Sequence, residues 1–508
     1  MSQIISLQRR RENSIISKLT ARTARKPLSP AKLILASYVC NINIFYDWSV
    51  GMTEFDNYMS PGRKGHLVGI GGVSMSSLAE VLAGMGLTIT GSDMNEANPN
   101  VAALREKGIK IYIGHSGDNI EPDVDFIVRT AAVHDDNPEI VRAHELDIPV
   151  FERTQAWGAI SKDYSNALCI SGTHGKTTTT SMCTHILMAA EKDPTVMIGG
   201  TLPLLKAGHR VGHGNTIIME ACEYYNSFLS FHPTVAVILN IEADHLDFFK
   251  DLGDVEHSFR AFAERTPEDG YVVANHDDAN TMNTLRGIDR RVITFGLTPE
   301  ADVYAENIEY KGANSHFDIM YKGRFFTDVT LHVPGVHNVK NALAATAACI
   351  CVGVRPSSVK YGLAGFNGAG RRFEFKGKYN GADVYDDYAH HPGELRALLD
   401  AVEQLNYKRT ILVFQPHTYS RTAALFEDFV AQLCRPDVLL LAEIFAAREK
   451  NTIGISSRSL AERVDGASFY PSFGELEDAV RAIAEPGDIV LTVGAGDVYK
   501  IGEHIVEK

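Results

Sequence analysis

The sequence predicts an α/β protein of three domains, of which the two flanking ones read as built on largely parallel sheets. Three observations carry this. At 508 residues the chain is too long for one hydrophobic core. Apolar runs of strand length alternate with helical patterns from Lys64 to the C-terminus, the signature of βαβ units. Twice, a glycine-rich turn joins a short apolar run to a helix, at KGHLVGIGG (64–72) and at SGTHGKTTTTS (171–181).

The first domain, expected over 63–162, opens with the strand and turn of 64–72. A helix over 75–85 follows, then strands over 87–90, 109–113 and 124–128 and a helix over 137–145. Asp93 stands about twenty residues past the turn, the outline of a Rossmann-like dinucleotide fold. The pattern's third glycine is replaced by Ser74. A dehydrogenase would account for this segment but gives the rest of the chain no purpose.

The second domain, expected over 163–369, begins with a buried strand over 167–170 and the loop Gly172-Thr-His-Gly-Lys-Thr177. Such a loop between strand and helix aims backbone N–H groups at an anion. Lys176 adds a mobile positive charge and Thr177 a hydroxyl suited to Mg²⁺. The spacing is shorter than in the common phosphate loop. The following helix is expected over 182–190, further strands over 216–219, 235–239 and 271–274, and a closing helix over 338–352. The third domain, 370–508, is again Rossmann-like. It has strands over 382–385, 410–414, 438–441 and 488–493, and a helix over 392–404.

Residues 1–62 stand apart as an N-terminal extension. Residues 1–51 hold Arg9, Arg10, Arg11, Lys18, Arg22, Arg25, Lys26 and Lys32 against only Glu12 and Asp47. We read them as a disordered tail or an early start, with Met52 the natural one; a transit-type presequence has a similar composition. The net charge of −14 excludes a general nucleic-acid binder, which carries a basic face. No apolar run reaches the length of a membrane span. Seven cysteines without C-x-x-C pairs fit a reducing cytoplasm.

Chemistry-bearing residues gather where apolar strands end, as ligands do in open α/β sheets. Glu220 and Glu223 follow one strand; Asn240, Glu242, Asp244, His245 and Asp247 follow another. A carboxylate beside a phosphate loop is a natural Mg²⁺ ligand, whereas His245 would be an unusual nitrogen ligand or act through water. Gly335-Val-His-Asn-Val-Lys-Asn341 starts a helix whose polar first turn suits a ribose or an adenine. In the third domain Asp386-Asp-Tyr-Ala-His-His391 and Gln415-Pro-His-Thr-Tyr-Ser-Arg421 offer His, Tyr and Arg to a carboxylate.

Eight of these segments, "GIGGVSMSSLAEVL", "GTHGKTTT", "EACEYYNSFL", "NIEADHLDFF", "GVHNVKNALAA", "GAGRRFE", "DDYAHHP" and "QPHTYSRT", stand in the order in which they occur in the Mur ligase family. The chain resembles that family, and its alanine-adding branch most, from about Lys64 onward. The resemblance implies a UDP-sugar-binding first domain, a central P-loop ATPase-like domain and a C-terminal ligase domain. It implies ATP-dependent ligation of L-alanine to the lactyl carboxylate of UDP-N-acetylmuramate through an acyl phosphate, in cytoplasmic cell-wall precursor synthesis. The substrates are then small molecules, with no nucleic acid and no membrane span.

Carried across by residue, Lys176, Glu220, His245, His390 and Arg421 are implied to be catalytic. Thr177, Glu220 and His245 are the implied ligands of two Mg²⁺ ions. Gly172, Thr173, His174, Gly175, Lys176, Thr177 and Thr178 would hold the ATP phosphates. His337, Asn338 and Asn341 would meet the adenine and ribose; from the third domain Arg371 or Arg372 would reach the phosphates on closure, with Asp387 on the ribose. Gly71, Gly72, Ser74, Met75, Ser92, Asp93 and Glu223 would contact the UDP-sugar, and Tyr388, His390, His417 and Arg421 the amino acid. Relatives that carry a carbamylated lysine place it near 256–260, where this chain has no lysine. A recycling ligase for a preformed tripeptide is the nearest alternative, and a non-catalytic nucleotide-binding scaffold the alternative of another class.

Overall fold

The computed structural model describes residues 55–130, 132–447 and 449–506. The tail over 1–51 and the start at Met52 lie outside the described residues. Within the expected extension, Phe55 opens a 3₁₀ turn, Phe55–Tyr58, and its ring packs 5.1 Å from Phe126 and 5.0 Å from Phe151.

Three sheets follow one another. The first comprises β1 (Lys64–Val68), β2 (Thr88–Asp93), β3 (Lys110–Ile113), β4 (Phe126–Arg129) and β5 (Val150–Glu152), parallel throughout in the order β3-β2-β1-β4-β5. The order reverses beside β1, so the glycine turn after β1 opens at the switch point. β2 runs three residues further than the sequence suggested, because Ser92 pairs with Val68 and Asp93 with Ile113.

The central sheet contains β6 (Asn166–Ser171), β7 (Thr195–Leu202), β8 (Ala207–Arg210), β9 (Thr216–Glu220), β10 (Val235–Ile238), β11 (Tyr271–Asn275), β12 (Arg291–Gly296), β13 (Val303–Lys311), β14 (Asn314–Tyr321) and β15 (Arg324–Leu331). Their order is β15-β14-β13-β12-β11-β10-β6-β9-β7-β8. β6 is central, paired in parallel with β10 and β9, so the phosphate loop leaves the middle of the sheet. The helix after it spans Lys176–Ala189 and starts six residues before the expected 182. Its run of threonines looks unhelical, yet Thr180, Ser181 and Thr184 hydroxyls donate to the carbonyls four residues back, which satisfies them in a buried helix.

The third sheet holds β16 (Glu374–Tyr379), β17 (Ala382–Asp387), β18 (Thr410–Phe414), β19 (Val438–Leu441), β20 (Ser468–Phe469) and β21 (Ile489–Val493), in the order β16-β17-β21-β18-β19-β20. Only β16 runs antiparallel to its neighbour.

The cores divide the protein differently from the sheets. One continuous apolar cluster joins Leu67, Phe126 and Trp157 of the first module to Met219, Phe228 and Phe259 of the central one. The two clusters of the third sheet draw no residue from the other modules. The helix Arg153–Lys162 makes the seam. A Cβ on Gly158 would come within 2.1 Å of the Ser230 carbonyl oxygen. Gly158→Ala is therefore expected to destabilise the fold by about 1–3 kcal/mol, read as a lowered urea midpoint; an unchanged midpoint would contradict this packing.

Candidate active site

The phosphate loop is closed by Gly175, which takes φ +88° and caps the helix Lys176–Ala189. A Cβ there would stand 2.6 Å from Asn341 Oδ1, so glycine is required both for the backbone conformation and for the approach of the second helix, Val336–Cys351. Lys176 lies along the loop. Its Nζ donates to the carbonyls of Gly172 (2.5 Å) and Thr173 (3.0 Å) and pairs with Glu223 at 3.0 Å. Burial works against the ammonium, but the charges of Glu223 and Glu220 outweigh it and hold the lysine protonated, above its usual range.

Beside it, Thr177 Oγ1 stands 3.0 and 3.1 Å from the two carboxylate oxygens of Glu220. The Gly199 N–H also donates to Glu220, at 2.8 Å. A hydroxyl and a carboxylate facing one another are hard oxygen donors of the kind Mg²⁺ prefers. His245 adopts a left-handed φ of +54°. Its ring stacks on Tyr224 at 4.3 Å, and its Nε2 lies 3.9 Å from both Glu223 and Asp244. Burial pushes its pKa down, leaving a neutral imidazole among carboxylates.

A cavity of about 330 Å³ opens next to the loop. His174, Gly175 and Thr178 form one wall, His337, Asn338 and Asn341 another, and Arg372 and Asp387 of the third module a third. The sequence reading grouped these residues as one site, and the fold brings them together. Asn338 Nδ2 donates to the Pro334 carbonyl at 2.7 Å and Asn341 Nδ2 to Asn338 Oδ1 at 3.3 Å. Burial lowers the His337 pKa to about 4, so this imidazole is neutral.

Asp387 accepts N–H bonds from Phe373 and Ala389, and burial raises its pKa from 3.8 to about 6. An acid raised on folding stabilises the fold while protonated: its contribution is present below about pH 4 and lost as pH rises through 6. Relative to Asp387→Asn, the wild type should therefore lose stability between pH 4 and 6. Parallel stability curves for the two proteins would contradict this.

Two modules meet over the site. Arg421 donates from Nε and from one terminal nitrogen to Asp244 Oδ1, at 3.3 and 3.1 Å. Its other terminal nitrogen is 3.1 Å from His417 Nδ1. Burial opposes ionisation of Asp244, but Arg421 overrides it and keeps the carboxyl well below its usual range. The rings of His390 and His417 lie 5.5 Å apart, and Tyr388 is 5.5 Å from His390. Burial lowers the pKa of both histidines to about 4. Glu394 was not singled out in the sequence. It accepts the backbone N–H of His390 and faces both His174 (3.4 Å) and Arg372 (3.8 Å). Asp277, also on the cavity wall, was missed too, although it follows an apolar strand as the recognised acids do; Lys340 pairs with it at 2.9 Å.

Four expected contacts are placed elsewhere. Arg371 does not line the cavity: it donates to Asp386 and to the carbonyls of Gly494 and Gly496, between the rings of Tyr388 and Tyr499. Its partners hold it inside its own module, leaving Arg372 as the hinge arginine on the cavity. Met75 is a core side chain. Ser92 is fully buried, donates to Glu139 at 2.6 Å and lies 3.1 Å from His115 Nδ1. Glu223 faces Lys176 rather than the first module. Gly71 and Gly72 lie in the turn after β1, Ser74 in the first turn of the helix Val73–Gly84 and Asp93 at the end of β2, and the Gly71 N–H donates to Asp93 at 2.8 Å.

Comparison with known proteins gives matches in each module. Residues 64–165 match the model described as "Mur ligase family, catalytic domain", 170–349 "Mur ligase middle domain" and 371–496 "Mur ligase, glutamate ligase domain". A UDP-N-acetylmuramate–L-alanine ligase of Agathobacter rectalis is 46% identical over 448 residues, 87% of this chain and 97% of that protein. One from Clostridium novyi is 44% identical over 458 residues, 89% of this chain and 99% of that protein. The crystal structure of a UDP-N-acetylmuramate–alanine ligase from Thermotoga maritima is similar with a TM-score of 0.73 at 30% identity. It covers 87% of this chain and 98% of its own.

Proposed function

The chain belongs to the Mur ligase family, and on that premise we infer that it joins L-alanine to the lactyl carboxylate of UDP-N-acetylmuramate at the expense of ATP, in peptidoglycan precursor synthesis. The observation that carries this is the meeting of two modules over one phosphate loop, with Arg421 on Asp244 and Glu394 on His174. A ligase that makes an activated acid must bring an amine to it while excluding water.

The working division is 63–162 for the UDP-sugar, 163–369 for ATP and 370–508 for the amino acid, with the four residues Gly71, Gly72, Ser74 and Asp93 serving the UDP-sugar. The phosphate-loop N–H groups and Lys176 would hold the triphosphate, and the cavity bounded by His337, Asn338, Asn341, Arg372 and Asp387 the nucleoside. The lactyl carboxylate attacks the γ-phosphorus, giving an acyl phosphate and ADP. Negative charge gathers on the transferring group, where Lys176 and Arg372 offset it. Mg²⁺ fits the oxygen pair of Thr177 and Glu220, and a second ion would have His245 within reach. When bound, such ions neutralise phosphate charge.

Arg421 would hold the alanine carboxylate, with Tyr388 and the neutral rings of His390 and His417 beside it. A neutral ring can accept a hydrogen bond from the amine, which must shed its proton to attack the acyl carbon. The tetrahedral adduct then expels phosphate and leaves the amide. Among the described residues no helix is long and apolar enough to cross a membrane, and the dependence on ATP supports action in the cytoplasm.

Hydroxylamine in place of alanine tests the intermediate. With MgATP and UDP-N-acetylmuramate it should capture the acyl phosphate as a hydroxamate, with one ADP for each. ADP formation without hydroxamate would contradict the acyl phosphate.

A further inference from the structure

Beside the nucleotide cavity, three side chains from two modules aim donor atoms at one point. His174 belongs to the phosphate loop and Glu242 to the loop after β10. His391 caps the helix Pro392–Glu403 of the third module. One donor atom of each lies within 4.8 Å of the other two, and His174 Nε2 is 3.5 Å from Glu242 Oε2.

Gly393 keeps the space they face open. A Cβ on it would come 3.0 Å from Glu242 Oε2 and 3.3 Å from both His174 Nε2 and His391 Nδ1. His391 is 6% exposed. Its Nδ1 accepts the Gly393 N–H at 3.2 Å, and its Nε2 is buried without a hydrogen-bond partner. His174 Nε2 has no hydrogen-bond partner, while its Nδ1 faces Glu394 at 3.4 Å. A carboxylate behind a histidine fixes the ring and tautomer of a metal ligand.

We propose that His174, Glu242 and His391 form a site for a divalent transition cation of the zinc class, separate from the magnesium that accompanies ATP. Two imidazoles and one carboxylate suit zinc, whereas magnesium asks for oxygen donors. The side chains must draw in to reach bonding distances of about 2.0–2.2 Å. Because His391 comes from the third module and the other two ligands from the central one, the bound ion fastens these modules together and slows turnover.

The test is calorimetric titration of tag-free full-length protein with Zn²⁺ in excess Mg²⁺. One Zn²⁺ per chain is expected to bind, and His391→Asn and Glu242→Gln should each weaken it by about tenfold or more. Asparagine keeps a cap acceptor at 391 while removing the imidazole, and thermal melting checks that both variants fold. Absence of saturable binding overturns the site, as does an affinity unchanged in both variants. Co²⁺ supplies a reading on the wild type alone. Visible bands of a four-coordinate nitrogen and oxygen site support it, and the spectrum of the hydrated ion overturns it.

Discussion

Lys176→Ala is expected to lower alanine-dependent ADP release by about 10³-fold, the scale of losing a cationic or hydrogen-bonding group where transition-state charge develops. The lysine is held ready rather than free, since two loop carbonyls and Glu223 fix its ammonium beside the phosphate loop. Removing it withdraws the positive charge from the loop and leaves Glu223, a buried carboxylate, without its counterion, which adds repulsion toward any phosphate. Binding of UDP-N-acetylmuramate should be nearly intact, because its proposed residues at the ends of β1 and β2 do not touch Lys176. Calorimetry with the sugar nucleotide alongside steady-state kinetics separates the two effects. Turnover near the wild-type rate would remove the loop from the mechanism.

Arg421→Ala should reduce kcat/KM for L-alanine by about 10²–10³-fold, with a much smaller change in KM for ATP. Truncating one partner of a buried, hydrogen-bonded charge pair costs about 2–5 kcal/mol, and here the partner left behind is Asp244 in the central module. The loss would have two sources, one the missing partner for the substrate carboxylate and the other the missing tie between modules. Arg421→Lys separates them. It keeps the charge but not the planar fork that reaches Asp244 and His417 together, so it should recover only part of the alanine term. Equal effects on alanine and ATP would place Arg421 in general packing instead.

Legibility of the site followed the physics of each residue. Lys176, Glu220, His245, Asn341 and Arg421 were readable because each sits where an apolar strand gives way to a polar turn or helix start, and parallel α/β sheets collect such ends on one side. Glu394 was hidden because it reads as an ordinary first-turn capping acid; its approach to His174 exists only across modules. The roles of Arg371 and Arg372 could not be separated in a sequence where they are neighbours, since the choice depends on which one Asp386 and two carbonyls hold. The threonine helix was placed too late because threonine is a weak helix former, and its tertiary setting with back-bonded hydroxyls prevailed. The half-exposed strands β13 to β15 and the hairpin of β7 and β8 carry weaker patterns than the buried parallel strands. The shared core of the first two modules is a three-dimensional fact with no local signal. The third module keeps its own apolar clusters, apart from that shared core.

In the proposed reaction ATP is spent on the muramyl carboxylate for attack by alanine. The direct test is phosphate release from MgATP with UDP-N-acetylmuramate, comparing L-alanine, no amine and a tripeptide. Release that requires both the sugar nucleotide and L-alanine is the predicted result. Preference for the tripeptide, or no release under any combination, would contradict it.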